Sequence, residues 1–369
     1  MLQLKIFLSP IETIIDRAGV WFLRSGIQEA EGGVARYYRS DLQKNARVST
    51  EITGYTVSFL VDLHARTGRK QVLDSALAGA RFLESKMWNA AWSVFPFEYS
   101  SNGDQPEPLA FFFDSGIIAR GLLAAWKASG AREFRDTALA CGRGMLERFG
   151  GASASHPRLR LPELCAVPYE SRWSAEPGCY QLKSAMAWRD LFEESGDPAF
   201  RTAYEEALAA ALENSAGFLP GERDPERVMD RLHAFLYFLE GLLPAADRPE
   251  CARALAAGVE RVAQYVREIE PIFARSDVYA QLLRARLFAA QTGALPLDAE
   301  AAAREAGIAA AFQLESDDPR IDGGFAFGRK RGTMLPYVNP VSTAFCAQAL
   351  AEWSAFQAGR PALDRRALV

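Results

Sequence analysis

One punctuated segment recurs along this chain at a long and nearly constant spacing. VSFLVDLHARTGRKQVLDSALAGARFL, IARGLLAAWKASGAREFRDTALACGRGML and AMAWRDLFEESGDPAFRTAYEEALAAAL share one grammar. Each has an apolar helical pattern, a Thr-Gly or Ser-Gly, a few polar residues and a second, more amphipathic pattern. Apolar residues at i, i+3, i+4 and i+7 read as helix in both halves. Gly68, Gly130 and Gly196 stand 62 and 66 residues apart. A glycine just past a helix end takes the left-handed conformation cheaply, so it marks a C-cap. Four residues later comes an apolar anchor: Val72, Phe134, Phe200. A chain written this way folds as stacked helical hairpins.

Three weaker copies follow. HAFLYFLEGLLPAADRPECARALAAGVERVAQYV lacks the glycine, and DVYAQLLRARLFAAQTGALPLDAEAAAREAGIAAAF keeps Thr292-Gly293. VSTAFCAQALAEWSAFQAG is a first helix without a successor, and the N-terminal IETIIDRAGVWFLRSGI supplies its partner. The expected fold is all-α: six inner and six outer helices in an (α/α)6 toroid, a single domain over residues 1–369 closed by the two ends of the chain. The inner patterns are rich in alanine, glycine and aromatics, while the outer ones carry charge on one face. A double ring requires this, with one layer buried on both sides and the other wet on one. An open solenoid used for protein binding also shows helix pairs, but its period is shorter, about 34–47 residues.

Composition removes several function classes. The formal net charge is -4, and a nucleic-acid binder needs a basic face, so no nucleic acid is expected as partner. No apolar run approaches the roughly 18 residues of a membrane span. Pro10, Glu12 and Asp16 interrupt the N-terminal apolar patch too early for a signal peptide, so a cytoplasmic protein is expected. The five cysteines form no C-x-x-C and read as reduced core thiols. His64, His156 and His233 form no H-x-x-x-H or H-E-x-x-H pair, so neither a metal nor a cofactor is expected.

The connections before the inner helices lengthen the repeat and hold the unusual residues. In a toroid the N-terminal ends of the inner helices converge on one mouth. The stretch DGGFAFGRKRGTMLPYVNPVSTAFCAQAL starts at Asp322. It lacks G-x-x-x-x-G-K-[ST] and no strand pattern precedes it, so its glycines are turns of a rim loop and not a phosphate cradle. Asn339-Pro340 opens the helix. Phe325, Phe327 and Tyr337 are expected to line the mouth. Tyr37, Trp92, Phe97 and Trp173 lie in these loops too, suited to stacking on sugar rings, to an apolar pocket or to plugging a loop onto the core. So do Arg36, Arg47, Arg172, Arg231 and Arg275. Positive charge gathered at one mouth of an acidic chain draws an anionic ligand, and arginine matches a carboxylate bidentately.

The helix-pair pattern, with E-x-T-G-Y at Glu51 to Tyr55 and D-S-G at Asp114 to Gly116, resembles the six-hairpin glycosidase-like group over almost the whole chain. That group includes unsaturated-uronyl hydrolases, sugar 2-epimerases, uronyl C5-epimerases and the helical domains of polysaccharide lyases. The resemblance implies the fold, and the chemistry must come from the site. Glu51, Asp114 and Asp277 fall at inner-helix starts, where acids are also ordinary caps. Three at equivalent ring positions suit a glycosidase, which needs two carboxylates facing one bond. Proton removal beside a uronate carboxylate needs a base, an acid and positive groups instead. Tyr55, Tyr180, His233, Tyr279 and Tyr337 are candidates for proton transfer, with Arg231 and Arg275 for the carboxylate. Trp92 and Asn339 complete the expected substrate contacts. The expected function is processing of an acidic, uronate-containing saccharide by hydrolysis, elimination or C5-epimerisation, with a place in exopolysaccharide metabolism. The alternative is a non-catalytic glycan-binding or polysaccharide-assembly partner on the same fold. The D-x-D-D acid of terpene cyclases and the Cys, Cys, His zinc set of lanthionine cyclases are both absent.

Overall fold

The computed structural model describes residues 10–99, 108–219, 224–360 and 364–369. The N-terminal patch read against a signal peptide falls, for residues 1–9, outside the described residues. Twelve α-helices are present among the described residues. They are α1 (Pro10–Arg24), α2 (Thr50–Thr67), α3 (Lys70–Arg81), α4 (Phe112–Ser129), α5 (Arg132–Arg148) and α6 (Leu182–Ser195), then α7 (Pro198–Ser215), α8 (Pro225–Gly241), α9 (Pro249–Ile269), α10 (Ser276–Gln291), α11 (Ala299–Ala310) and α12 (Pro340–Gln357). Gly68, Gly130 and Gly196 close α2, α4 and α6 with φ of 68°, 75° and 72°. Val72, Phe134 and Phe200 are buried just beyond them, so each hairpin turn is pinned to the core.

Even-numbered helices pack on one another in order, and α12 packs on α2, which closes the inner ring. Each inner helix also packs on its outer partner, the last pair being α12 with α1. The fold is an (α/α)6 toroid. Inner helices approach to backbone contact. A β-carbon on Gly121 of α4 would lie 2.6 Å from the Gly54 carbonyl oxygen of α2, and one on Gly116 would lie 2.3 Å from the Ser184 carbonyl oxygen of α6. Among the described residues, the loops at the helix N-termini form four three-stranded antiparallel sheets. All four lace loops from neighbouring repeats together, Leu109–Phe111 pairing with Arg158–Arg160 in one of them. Val48–Ser49 pairs with Val34–Ala35 and Glu98–Tyr99. Tyr38–Arg39 pairs with Tyr337–Val338 across the ring closure. Phe273–Arg275 pairs with Gly328–Lys330.

Beneath the mouth the bore holds a belt of buried charge. Lys183, Glu240 and Arg284 are all 0% exposed, and Glu240 accepts from both cations. Residues 364–369 lie against this belt. Arg120 Nη1 donates to the Leu368 carbonyl (3.0 Å), Lys183 Nζ to the Val369 carbonyl (2.9 Å) and Gln348 Nε2 to the Ala367 carbonyl (2.7 Å).

Three expectations need correction. α8 begins at Pro225 behind an Asp224 cap, so Arg231 and His233 lie inside a helix and not at its start. Asp-Pro is itself a helix-start signal, capping residue followed by proline in the first turn. Phe325 is in the core and not at the mouth, because the bridge of Gln313 to Phe325 turns it inward. Cys165 is exposed, whereas Cys141, Cys179, Cys251 and Cys346 are buried free thiols.

The glycine contacts make a stability prediction. Gly116→Ala drives a methyl group into the α6 backbone and is expected to cost about 2–3 kcal/mol. Gly130→Ala meets nothing within 4 Å and pays only for its positive φ, about 1 kcal/mol. Urea unfolding of the two variants checks the order.

Candidate active site

A cavity of about 680 Å³ opens at the helix N-termini. Its walls come from α2, α4, α8, α10 and the start of α12 and from the laced loops. Glu51 and Asp114 stand together on one wall. A β-carbon on Gly54 would lie 3.0 Å from the Ile118 Cα. Glu51 is one turn before Gly54 and Asp114 one turn before Ile118, so both carboxyls stand just above this helix crossing. Burial pushes the Glu51 carboxyl up to about 7, and the nearby Arg36 only partly offsets this. Asp114 is also raised, first by burial and then by the Glu51 charge, again against Arg36. Asp114 Oδ2 is buried with no hydrogen-bond partner. Two neighbouring carboxyls of this kind share a proton at neutral pH.

Arginines flank the pair. Arg36 Nη1 bonds Glu98 Oε1 at 2.8 Å, and Arg47 Nη1 reaches Glu98 Oε2 at 3.4 Å. Glu98 is 7% exposed, while the two arginine side chains are 42% and 41% exposed. One carboxylate thus serves two cations that still face the cavity, and the exposed Arg172 adds a third. Phe97, Phe111 and Phe113 supply apolar wall between them.

The opposite wall carries His233, Asp277 and Arg275. Arg275 grips Asp277 with two bonds, 3.0 and 2.6 Å, and Asp230 with a third of 2.7 Å. Its guanidinium also lies 4.5 Å from the centre of the Phe327 ring. Burial alone raises an acid, but Arg275 and then His233 outweigh it and hold Asp277 low and ionised. Three of its five N–H donors go to Asp277 and Asp230, so Arg275 orders the wall and keeps two donors at most for a ligand. His233 Nδ1 lies 2.7 Å from Gln281 Oε1 and 3.7 Å from Asp277 Oδ2. Burial lowers its pKa to about 4 despite Asp277, so the imidazole is neutral at pH 7.

The other expected residues divide. Tyr337 and Asn339 line the cavity, Tyr337 edge-on to Tyr37. Asn339 caps α12 through its oxygen, 2.8 Å from Val341 N, which leaves its amide nitrogen for a ligand. Tyr180 lines the cavity with its ring, but its hydroxyl donates to the Glu176 carbonyl at 3.0 Å. Tyr55 lies one turn below Glu51 in the core, edge-on to Phe345, outside the lining. Trp92, Arg231 and Tyr279 do not line the cavity either. Trp92 sits in a loop that Gly144 admits against α5. Arg231 bonds the Phe218 carbonyl and stacks on the Phe218 ring. Tyr279 follows Asp277 by two residues on a helix and so faces away, buried near Glu270 and Arg329. Tyr237 and Glu98 are among the lining residues that had not been singled out. Tyr237 follows His233 by one helical turn in R-L-H-A-F-L-Y, so period alone placed it on the same face. Glu98 gave no such signal; a strand pairing with Ser49 positions it. Among the described residues, no group of three His, Cys, Asp or Glu side chains is placed to hold a metal ion, and no helix is long and apolar enough to cross a membrane.

No protein-family model and no curated protein matches the sequence. Solved structures do match in fold. A sugar epimerase from a ruminal bacterium superposes with a TM-score of 0.71 at 11% identity, covering 92% of this chain and 97% of its own. Cellobiose 2-epimerase from Spirochaeta thermophila gives 0.71 at 14% identity, covering 92% and 95%. An unsaturated glucuronyl hydrolase specific for heparin gives 0.64 at 9% identity, covering 94% and 98%. The chain therefore has the fold of the six-hairpin glycosidase-like group.

The acid pair can be tested without a substrate. Between the usual 4.5 and about 7, the folded chain holds a Glu51 proton that the unfolded chain releases. The fold therefore loses stability as pH rises through that window. Glu51→Gln removes this loss and is expected to raise the melting temperature by a few degrees at pH 8, with little effect at pH 4.5. Calorimetry at the two pH values reads the difference.

Proposed function

We propose that the chain hydrolyses an acidic, uronate-containing saccharide in this cavity. The observation that carries the proposal is the Glu51–Asp114 pair, which keeps a proton at neutral pH within reach of Arg36. A glycosidic oxygen must receive a proton as it leaves, and a second carboxylate must activate water or stabilise the cationic ring. A coupled pair offers both forms at once. Arg36, Arg47 and Arg172 suit a sugar carboxylate, since each keeps its cation toward the cavity. The aromatic side chains around them suit ring faces. Similarity in fold to sugar epimerases and to a glucuronyl hydrolase is consistent with this chemistry.

One observation favours a second reading. His233 is neutral and stands across the cavity from the acid pair, as a base stands across from an acid. That arrangement suits proton abstraction beside a uronate carboxylate, hence elimination or C5-epimerisation.

Purified protein is to be incubated with uronate-containing oligosaccharides while three signals are read: new reducing ends, absorbance of a 4,5-unsaturated product, and deuterium uptake at C5 from heavy water. Hydrolysis predicts new ends alone. The rate is then expected to fall as pH rises through about 7, as the pair loses its shared proton. Glu51→Gln and Asp114→Asn are expected to lower kcat by about 100-fold or more. Arg47→Ala is expected to raise KM about tenfold. Unsaturation or deuterium uptake moves the assignment to the His233 reading. Silence in all three with binding retained moves it to a glycan-binding partner.

A further inference from the structure

His233 is connected to the charged belt below the cavity, and the connection fixes which of its nitrogens carries the proton. Gln281 lies one turn below Asp277 on α10 and is fully buried. Its Oε1 is 2.7 Å from His233 Nδ1, and its Nε2 is 3.4 Å from Glu240 Oε2. Glu240 is held as a carboxylate. Burial pulls its pKa up, but Arg284 and then Lys183 outweigh that and keep it low. An ionised carboxylate only accepts hydrogen bonds. Gln281 must therefore turn its NH2 group toward Glu240, because the reversed amide would set a carbonyl oxygen against a charged oxygen. With NH2 below, the Gln281 oxygen faces His233. An oxygen there accepts, so Nδ1 must be the protonated nitrogen of a neutral ring. Asp277 does not compete for this role, since it is 3.7 Å away and already gripped by Arg275. Nε2 then keeps its lone pair, and His233 lines the cavity.

We propose that Gln281, oriented by the Glu240–Lys183–Arg284 cluster, is a positioning residue that locks His233 in the Nδ1–H tautomer, so that its wall presents a hydrogen-bond acceptor to the ligand. The opposite wall presents three arginines and, in the acid pair, a proton beside a carboxylate, so its cations and that proton are donors. The cavity is therefore polarised: it takes a ligand with an anionic group at the arginine wall and a donor, such as a sugar hydroxyl, at Nε2. The tautomer lock follows from contacts within the chain. Only the identity of the donor as a sugar hydroxyl rests on the saccharide reading.

The test is a two-bond nitrogen–proton correlation spectrum of histidine-labelled full-length protein at pH 7. The chain has three histidines, and His64→Gln and His156→Gln assign the remaining signal. The expected result is His233 protonated at Nδ1 with a tautomer excess of about tenfold or more, the scale of one buried hydrogen bond. A His233 protonated at Nε2, or doubly protonated at pH 7, overturns the proposal. Gln281→Leu is expected to bring the two tautomers close to parity, and an unchanged tautomer removes Gln281 from the role. If Gln281→Leu does not fold, Gln281→Met, an unbranched replacement, carries the same reading. The wild-type spectrum decides the tautomer whichever variant survives. A lock observed in a chain that turns over no uronate would remove the proposed hydrolysis and leave this inference standing. Turnover with the opposite tautomer would do the reverse.

Discussion

The closeness of the inner helices sets the bore of the ring. Gly54 and Gly121 let α2 and α4 touch at the backbone, Gly116 does the same for α4 and α6, and a β-carbon on Gly241 would lie 2.7 Å from the Leu182 carbonyl carbon between α8 and α6. Larger residues at these points would spread the ring. The glycines cost helix propensity, about 1 kcal/mol each relative to alanine, and the packing they permit must exceed that. The position of Gly54 one turn after Glu51 has a direct chemical result. It brings the first turns of α2 and α4 together, and with them Glu51 and Asp114.

Charge is then distributed in two layers. At the mouth, six helix N-termini and several arginines form a positive rim, which favours anions. Even so, Glu51 and Asp114 are pushed toward their protonated forms, because burial and mutual repulsion outweigh the rim. Below lies the Lys183, Glu240 and Arg284 cluster, fully buried and internally neutralised to within one charge. Such clusters rarely add net stability over an apolar core. Here the cluster lies under His233 and bonds Gln281, so its position bears on the site.

The ring was legible because each turn carried its own punctuation. Gly68, Gly130 and Gly196 needed left-handed backbone, and no other residue type supplies it as cheaply. The acids of both walls were legible from the starts of the helical patterns: Glu51, Asp114 and Asp277 all sit in first turns of inner helices. Where an element start was misread, the residues counted from it were misplaced. Asp224-Pro225 starts α8 two turns before His233, and Arg231 consequently faces the Phe218 carbonyl. Trp92, Tyr55 and Tyr279 failed for another reason. Whether an aromatic ring turns into a cavity or into the core depends on which neighbour leaves room, and Gly144 or Phe345 lies far away in sequence. Glu98 was invisible because a two-residue strand has too little pattern to read.

The laced loops carry a consequence for how such a mouth can change. Loops in many scaffolds vary one at a time, because each stands on its own pair of anchors. Here Tyr38–Arg39 is a strand partner of Tyr337–Val338, and Val48–Ser49 of Glu98–Tyr99. An insertion in one loop changes the register of a strand that another loop depends on, and with it the aim of Glu98 or Tyr337. Substitutions in these loops are therefore coupled rather than additive. Ligand preference in this molecule is a property of neighbouring loops taken in pairs, and grafting a single loop from a related toroid would bring the side chains without their aim.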